Sequence, residues 1–193
     1  MSHLKKSYVK RTHIRNILSV YHGADKTMGT WYWQARTICE RLANDAGVAV
    51  ETVVGVMAAL SPGATWDRNV IETRALITGE NISFTTYPKM VVKARKILAA
   101  DVADIEGLLA PRPNKSGFKI LRFYRHICQP WRPDIAVIDR HAVAICLGRM
   151  ADKAEQKLTR WMYTNYELAY QVAAKRAGVA VSEMQAITWC AWR

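Results

Sequence analysis

The sequence lacks several features that would assign a function class directly. Its cysteines are scattered without a Cys-x-x-Cys pair, which argues against a zinc or iron–sulfur site. No uncharged apolar run approaches the roughly 18 residues that a membrane span requires, so no contact with a membrane is expected. The basic N-terminal stretch also lacks the apolar segment of a signal peptide, and we expect the chain in the cytoplasm.

Acidic residues are scarce relative to basic ones. The chain has 16 Asp and Glu against 28 Lys and Arg, which gives a formal net charge of +12 and a pI near 9.8. This excess favours a polyanionic partner such as nucleic acid, although a solvated basic surface has the same composition. Seven Trp and eight Tyr strengthen the nucleic-acid interpretation, because aromatic faces stack on bases.

Strand-like alternation between hairpin turns is also absent, and helical periodicity runs through most of the chain. We therefore predict an all-α fold and a single compact helical domain over residues 1–193. Ser182 and Gln185 predict a capping box at the start of the last helix. The predicted helices cover residues 8–21, 27–46, 51–60, 66–78, 88–99, 102–110, 116–128, 139–149, 152–176 (as one helix or with a break) and 182–192.

The central stretch NKSGFKILRFYRHICQPWRPDIAVIDRHAVAI, residues 114–145, places an amine and a carboxylate at two predicted helix starts. Gly117 permits a tight turn, and Lys115 and Lys119 flank a helix N-terminus whose free N–H groups suit a phosphate. Asp139 follows Lys119 by 139 − 119 = 20 positions and opens the next helix, where its negative charge is stabilised. A lysine beside an apolar face can act as a nucleophile, and the carboxylate can stabilise a developing cation. The alternatives are a helix-capping Asp139 and a solvated Lys119.

These residues resemble the helix–hairpin–helix DNA glycosylase superfamily. The segment GFK at 117–119 is similar to the second half of the family's Gly-apolar-Gly-x-Lys hairpin, with Lys115 and Ser116 standing where the family has a glycine and an apolar residue. The segment IDRH at 138–141 resembles the Val-Asp-x-His motif that follows about twenty residues later in the family. The resemblance covers roughly residues 50–150, and the terminal helices are expected to pack as a second lobe.

The resemblance implies a role for each matching residue. Lys119 would attack the sugar C1′, and Asp139 would be the catalytic carboxylate. Arg140 and His141 would lie near DNA phosphate, as would the hairpin residues Lys115, Ser116 and Gly117. No cofactor or metal is implied.

Two further pairs of residues are candidates for DNA or substrate contacts. The stretch VVGVMAALSPGATWDRNVIETRALI resembles the family's helix–loop–helix that fills the gap left by a flipped base, and Trp66 and Asn69 would serve that purpose. The alternative is that Trp66 belongs to the core and Asn69 packs or caps. Gln185 and Trp189 lie four positions apart on one helical face, where core packing is the default and a substrate pocket is the alternative.

The sequence therefore predicts a monomeric enzyme that flips and excises a modified or mispaired base from double-stranded DNA, in a bacterial or phage-infected cell and near the nucleoid. Two alternatives remain open. The stretches VMAALSPGATWDRN and EMQAITWCAWR also resemble phage thymine pyrophosphorylases, which attach an amine to an activated base on a related fold. The third interpretation is a non-catalytic DNA-binding module in which Lys115, Lys119 and Arg140 only contact phosphate.

Overall fold

A computed structural model describes residues 9–111, 118–131 and 135–193, which contain helices and turns and no strand. The predicted all-α fold is thereby confirmed for the described part of the chain. Short 3₁₀ helices cover Lys26–Thr30 and Val102–Asp104. The α-helices are α1 (Arg11–Gly23), α2 (Trp31–Ala46), α3 (Val50–Leu60), α4 (Trp66–Thr78), α5 (Pro88–Leu98), α6 (Ile105–Leu109), α7 (Phe118–Cys128), α8 (Arg140–Leu147), α9 (Arg160–Ala177) and α10 (Val181–Trp192).

The chain divides into two compact units. Unit 1 comprises Met1–Tyr32, Pro113–Lys119 and Trp131–Arg193, and unit 2 comprises Trp33–Arg112 and Ile120–Pro130. Among the described residues no single helix is long and apolar enough to cross a membrane. One pair of consecutive segments, Lys26–Ala46 and Val50–Leu60, has the required length and composition when taken together, but the two are bent by 116° relative to each other.

Unit 1 is a packed group of four helices. Helix α1 contacts α8, α9 and α10, and those three helices also contact one another. Their shared core is built from fully buried side chains such as Ile17, Ile138 and Met184. Helix α8 ends at Leu147 and is capped by Gly148, whose φ of 71° favours glycine. In its last turn, the carbonyl of Cys146 accepts a hydrogen bond from Asn16 Nδ2 of α1 over 2.9 Å. The N-terminal helix thus fixes the far end of the helix that Asp139 begins.

Two local predictions in unit 1 were wrong. Helix α10 begins at Val181 without a side-chain cap, and Ser182 lies inside its first turn, where it is buried. The Gln185 side chain bonds to another helix, so no capping box forms. The helix predicted from residue 152 begins only at Arg160, because Asp152 accepts the backbone N–H groups of Ala154 and Glu155 in a turn that competes with the helix.

Unit 2 is organised around α3, which contacts α4, α5 and α6. Helix α3 is buried from Thr52 to Leu60, as expected for the central helix of a small core. Gly55 lets two neighbours approach closely, since a Cβ there would lie 2.8 Å from Ile97 Cγ2 and 2.9 Å from Ile105 Cγ2.

Candidate active site

Asp139 is the N-cap of helix α8. Its φ of −109° and ψ of −173° are extended, and its Oδ1 accepts the backbone N–H groups of His141 and Ala142, each over 2.9 Å. An aspartate at this position satisfies two of the helix's otherwise unpaired donors and is itself stabilised by the helix dipole. The prediction that Asp139 opens a helix is confirmed.

The second oxygen of the Asp139 carboxylate is bound by a distant side chain. Trp189 of α10 donates its indole N–H to Asp139 Oδ2 over 3.1 Å. The two backbone donors and this indole therefore engage both oxygens of the carboxylate, which fixes its rotation as well as its position. Hydrogen bonds to a charged acceptor are among the stronger ones in proteins.

The segment that leads into Asp139 is buried and is held by Tyr163 of α9. Residues 135–138 are all buried, and the Tyr163 hydroxyl accepts from Ile138 N over 3.1 Å and donates to Ala136 O over 3.2 Å. Glu167 Oε1 also accepts from Ala136 N, over 3.3 Å. These bonds satisfy backbone groups that no regular secondary structure pairs, which gives Asp139 a rigid approach.

Lys119 lies in the first turn of α7, next to Phe118. The Phe118 ring centroid is 5.7 Å from that of Tyr163, and the Arg160 guanidinium lies over the Phe118 ring at 5.5 Å from its centroid. The side chain that anchors the approach to Asp139 therefore also packs against the residue before Lys119. Within unit 1, Tyr163 thus contacts the residue that precedes each of the two predicted catalytic positions.

The pKa of His141, in the first turn of α8, depends on burial and on the neighbouring charges. Its pKa is lowered mainly by partial burial and further by the positive charges of Arg140, Lys119 and Arg193, while Asp139 acts in the opposite direction. Arg140 Nε donates to His141 Nε2 over 3.2 Å, which suits the neutral imidazole. The Lys119 amine is thus close enough to His141, in the first turn of α8, for its charge to lower the pKa of that imidazole.

Trp189, whose indole binds the Asp139 carboxylate, lies in a cluster of aromatic rings in unit 1. The Trp189 ring centroid lies 5.7 Å from that of Trp31 and 6.2 Å from that of His141, and the Arg193 guanidinium covers the Trp189 ring at 4.2 Å. Trp31, Trp189 and His141 are partly exposed. The arrangement combines a fixed anion with planar apolar faces and cations, the properties that suit a nucleotide.

A buried polar pair lies next to these rings, since the ring centroids of Trp31 and Tyr32 are 5.0 Å apart. The Tyr32 hydroxyl donates to Gln185 Oε1 over 2.5 Å, and the two residues are 4% and 3% exposed. Burial raises the pKa of Tyr32 well above its ordinary value, and the negative charge of Asp139 raises it further. Gln185, Tyr32 and Asp139 therefore belong to one cluster.

A family model matches residues 1–193. The chain belongs to DUF7178, a family of unknown function. No curated protein and no solved structure matches it.

The structure of this DUF7178 member does not link the remaining predicted residues to Asp139. Lys115, Ser116 and Gly117 fall outside the described residues. Trp66 begins α4 in unit 2 and is partly buried, whereas Asn69 is 2% exposed and its Oδ1 has no hydrogen-bond partner among the described residues. Their roles on DNA stay predictions.

Several residues of the site were missed from the sequence. Tyr163, Trp31, Tyr32 and Arg193 were not singled out, although the aromatic run TWYWQ at 30–34 was a signal for the second and third of them. Among the described residues no group of three or more His, Cys, Asp or Glu side chains could hold a metal ion.

Proposed function

We propose that the chain is a DNA glycosylase-like enzyme that excises a modified or mispaired base from double-stranded DNA. The observation that carries the proposal is the Asp139 carboxylate, which two backbone N–H groups and the Trp189 indole hold, while the charge of Lys119 acts on His141 two residues further on. A helix cap alone requires neither the second anchor on Oδ2 nor the cations.

The charges near Asp139 suit a DNA backbone. Arg140 is exposed, and Arg140, Lys119 and Arg193 all act electrostatically on His141. Three cations that act on one imidazole favour a positive potential around His141, which attracts phosphate. The net charge of +12 extends the same attraction over the whole chain.

The chemistry follows from the amine and the carboxylate. Lys119 Nζ forms a bond to C1′ of the sugar, the glycosidic bond breaks, and its electron pair leaves with the base, which takes up the proton that the amine loses. The Asp139 carboxylate stabilises the positive charge that develops on the sugar as this bond breaks. The C1′–O4′ bond then breaks, the lone pair of Nζ forms the C=N bond of a Schiff base between Lys119 and C1′, and the remaining N–H proton passes to O4′.

Mass spectrometry of DNA treated with the protein tests this function. Duplexes carrying a panel of damaged, mismatched and hypermodified bases should yield one free base with the wild-type protein. Asp139→Asn keeps the helix cap but removes the charge, and release should fall by about 100-fold or more. A purely capping role for Asp139 instead leaves the Asn variant almost fully active.

Binding of the protein to duplex DNA is a separate test that does not require base release. The logarithm of the affinity should fall linearly with the logarithm of the salt concentration, with a slope of about −0.9 for each phosphate neutralised. Wild-type protein whose duplex affinity does not respond to salt would contradict any role on DNA, including that of a non-catalytic binding module.

A further inference from the structure

The side-chain amide of Gln185 makes a hydrogen bond through its oxygen and none through its nitrogen within the described residues. Its Oε1 accepts from the Tyr32 hydroxyl, and its Nε2 donates to no atom of the described residues. The residue is 3% exposed. Gln185 Nε2 is not one of the fully buried side-chain atoms that lack a partner, so its two N–H bonds stay accessible to an acceptor of a bound ligand.

The length of the bond to Tyr32 fixes which end of the amide is available. The separation of 2.5 Å lies within the range of an O–H···O bond and below that of an N–H···O bond. The oxygen of the amide therefore faces Tyr32, and the nitrogen is the end left for a ligand. An amide turned the other way would instead offer an acceptor.

The free nitrogen belongs to the cluster around Asp139. Gln185 and Trp189 are four residues apart on α10 and share a helical face, and Trp189 binds Asp139 Oδ2 directly. Tyr32, the partner of Gln185, is close enough for the Asp139 charge to act on its hydroxyl. A base whose sugar lies at Asp139 would thus have an edge within reach of α10.

We propose that Gln185 selects bases that present a ring carbonyl, rather than an amino group, to the site, a proposal that rests on the base-excising function. A carbonyl oxygen accepts the Gln185 N–H groups, whereas an exocyclic amine places donors against donors and leaves both buried groups unsatisfied. Because Tyr32 holds the amide oxygen, Gln185 cannot turn over to suit an amine without breaking that bond. Keto bases such as uracil and hypoxanthine are therefore preferred to their amino counterparts cytosine and adenine.

Binding to matched duplexes tests the preference. Uracil is compared with cytosine and hypoxanthine with adenine, each as a 2′-fluoro nucleotide that resists cleavage and each opposite the same abasic-site analogue, so that lost base pairing does not differ. The wild-type protein should bind the keto member of each pair about tenfold more tightly or better. Gln185→Glu preserves the size and the acceptor for Tyr32 but presents an acceptor to the base, and it should abolish or reverse the preference.

Gln156→Glu is the matched control, since it makes the same chemical change at an exposed position of unit 1 and should retain the keto preference. A keto preference that survives in Gln185→Glu overturns the proposal. So does a wild-type protein that releases a base in an Asp139-dependent manner yet binds both members of each pair equally, and in that outcome the base-excising function stands. A wild-type protein without duplex affinity overturns both.

Discussion

Trp189 binds Asp139 through its indole N–H, at 3.1 Å from Oδ2, across 50 positions of the sequence. The backbone already holds Oδ1, so the bond from Trp189 to Oδ2 fixes the rotation of the carboxylate about the Cβ–Cγ bond. Trp189 itself contacts the Trp31 ring and the Arg193 guanidinium. The relationship assigns to Trp189 the positioning of the anion, and the pocket contact that the sequence offered as an alternative to core packing stays a prediction.

Trp189→Phe should therefore lower kcat by about tenfold and leave KM nearly unchanged, the scale of one lost hydrogen bond to a charged group. The ring remains, so contacts with Trp31 persist. Steady-state kinetics of base release measures the effect, with Trp192→Phe on the same helix as the control. In an Asp139→Asn background the Trp189 change should have no further effect. Additive losses in the double variant would show that Trp189 acts independently of Asp139.

Tyr163→Phe should lower the free energy of unfolding by about 1–3 kcal/mol, because Ile138 N and Ala136 O both lose a buried partner. Urea denaturation followed by circular dichroism measures the change. Tyr166→Phe on the same helix removes a hydroxyl that makes no hydrogen bond with the described residues, and its effect should stay within about 0.5 kcal/mol. Equal losses in the two variants would mean that the hydroxyl of Tyr163 does not hold the segment.

Features that depend on neighbouring residues, such as helix caps, could be predicted from the sequence. An aspartate before an apolar helix predicts a cap, and Asp139 is one. The second anchor on Asp139 comes from Trp189, and the segment before it is held by Tyr163, 25 positions beyond Ile138. No periodicity or motif encodes such pairings, because they depend on how α8, α9 and α10 pack.

The same limit explains the incorrect capping box. Ser182 and Gln185 have the required types and spacing, but the Gln185 side chain bonds to Tyr32, 153 positions away. The long-range hydrogen bond to Tyr32 thus replaces the local bond that a capping box would require of Gln185. Lys119 illustrates the opposite case, since its position near the start of α7 follows from local pattern alone.

Gly55→Ala should destabilise the protein by about 1–3 kcal/mol, because its Cβ would collide with Ile97 and Ile105 in the core of unit 2. Gly107→Ala is the matched control. Gly107 lies in α6 with no atom within 4 Å of the added methyl group, so helix propensity should make that variant about as stable as wild type or more so. Thermal denaturation compares the two. Similar melting temperatures for both variants would contradict the close packing of α3.

His13 should make the stability of the fold depend on pH. The side chain is 8% exposed and stacks on Tyr166, and its pKa is lowered from 6.5 by burial first and by the charge of Lys10 second. The unfolded chain therefore takes up a proton more readily, so stability is full above pH 6.5 and is lost as the pH falls through the lowered pKa.

Urea denaturation at a series of pH values measures this loss. His13→Phe preserves an aromatic ring against Tyr166 and should show a smaller fall in stability at acid pH. A residual fall is expected because the pKa of His141 is also lowered. Identical pH profiles for wild type and variant would contradict the assignment to His13.

Borohydride trapping tests the central claim that Lys119 and Asp139 act on the same sugar. Reduction during turnover on the duplex that yields a free base should join wild-type protein to DNA, since hydride converts the Schiff base into a stable amine. Lys119→Arg retains the charge but not the nucleophile and should form no adduct, whereas Lys175→Ala, at an exposed site of unit 1, should cross-link like wild type. An adduct that persists in Lys119→Arg, or Asp139-dependent base release without any adduct in the wild-type protein, would contradict the lysine mechanism.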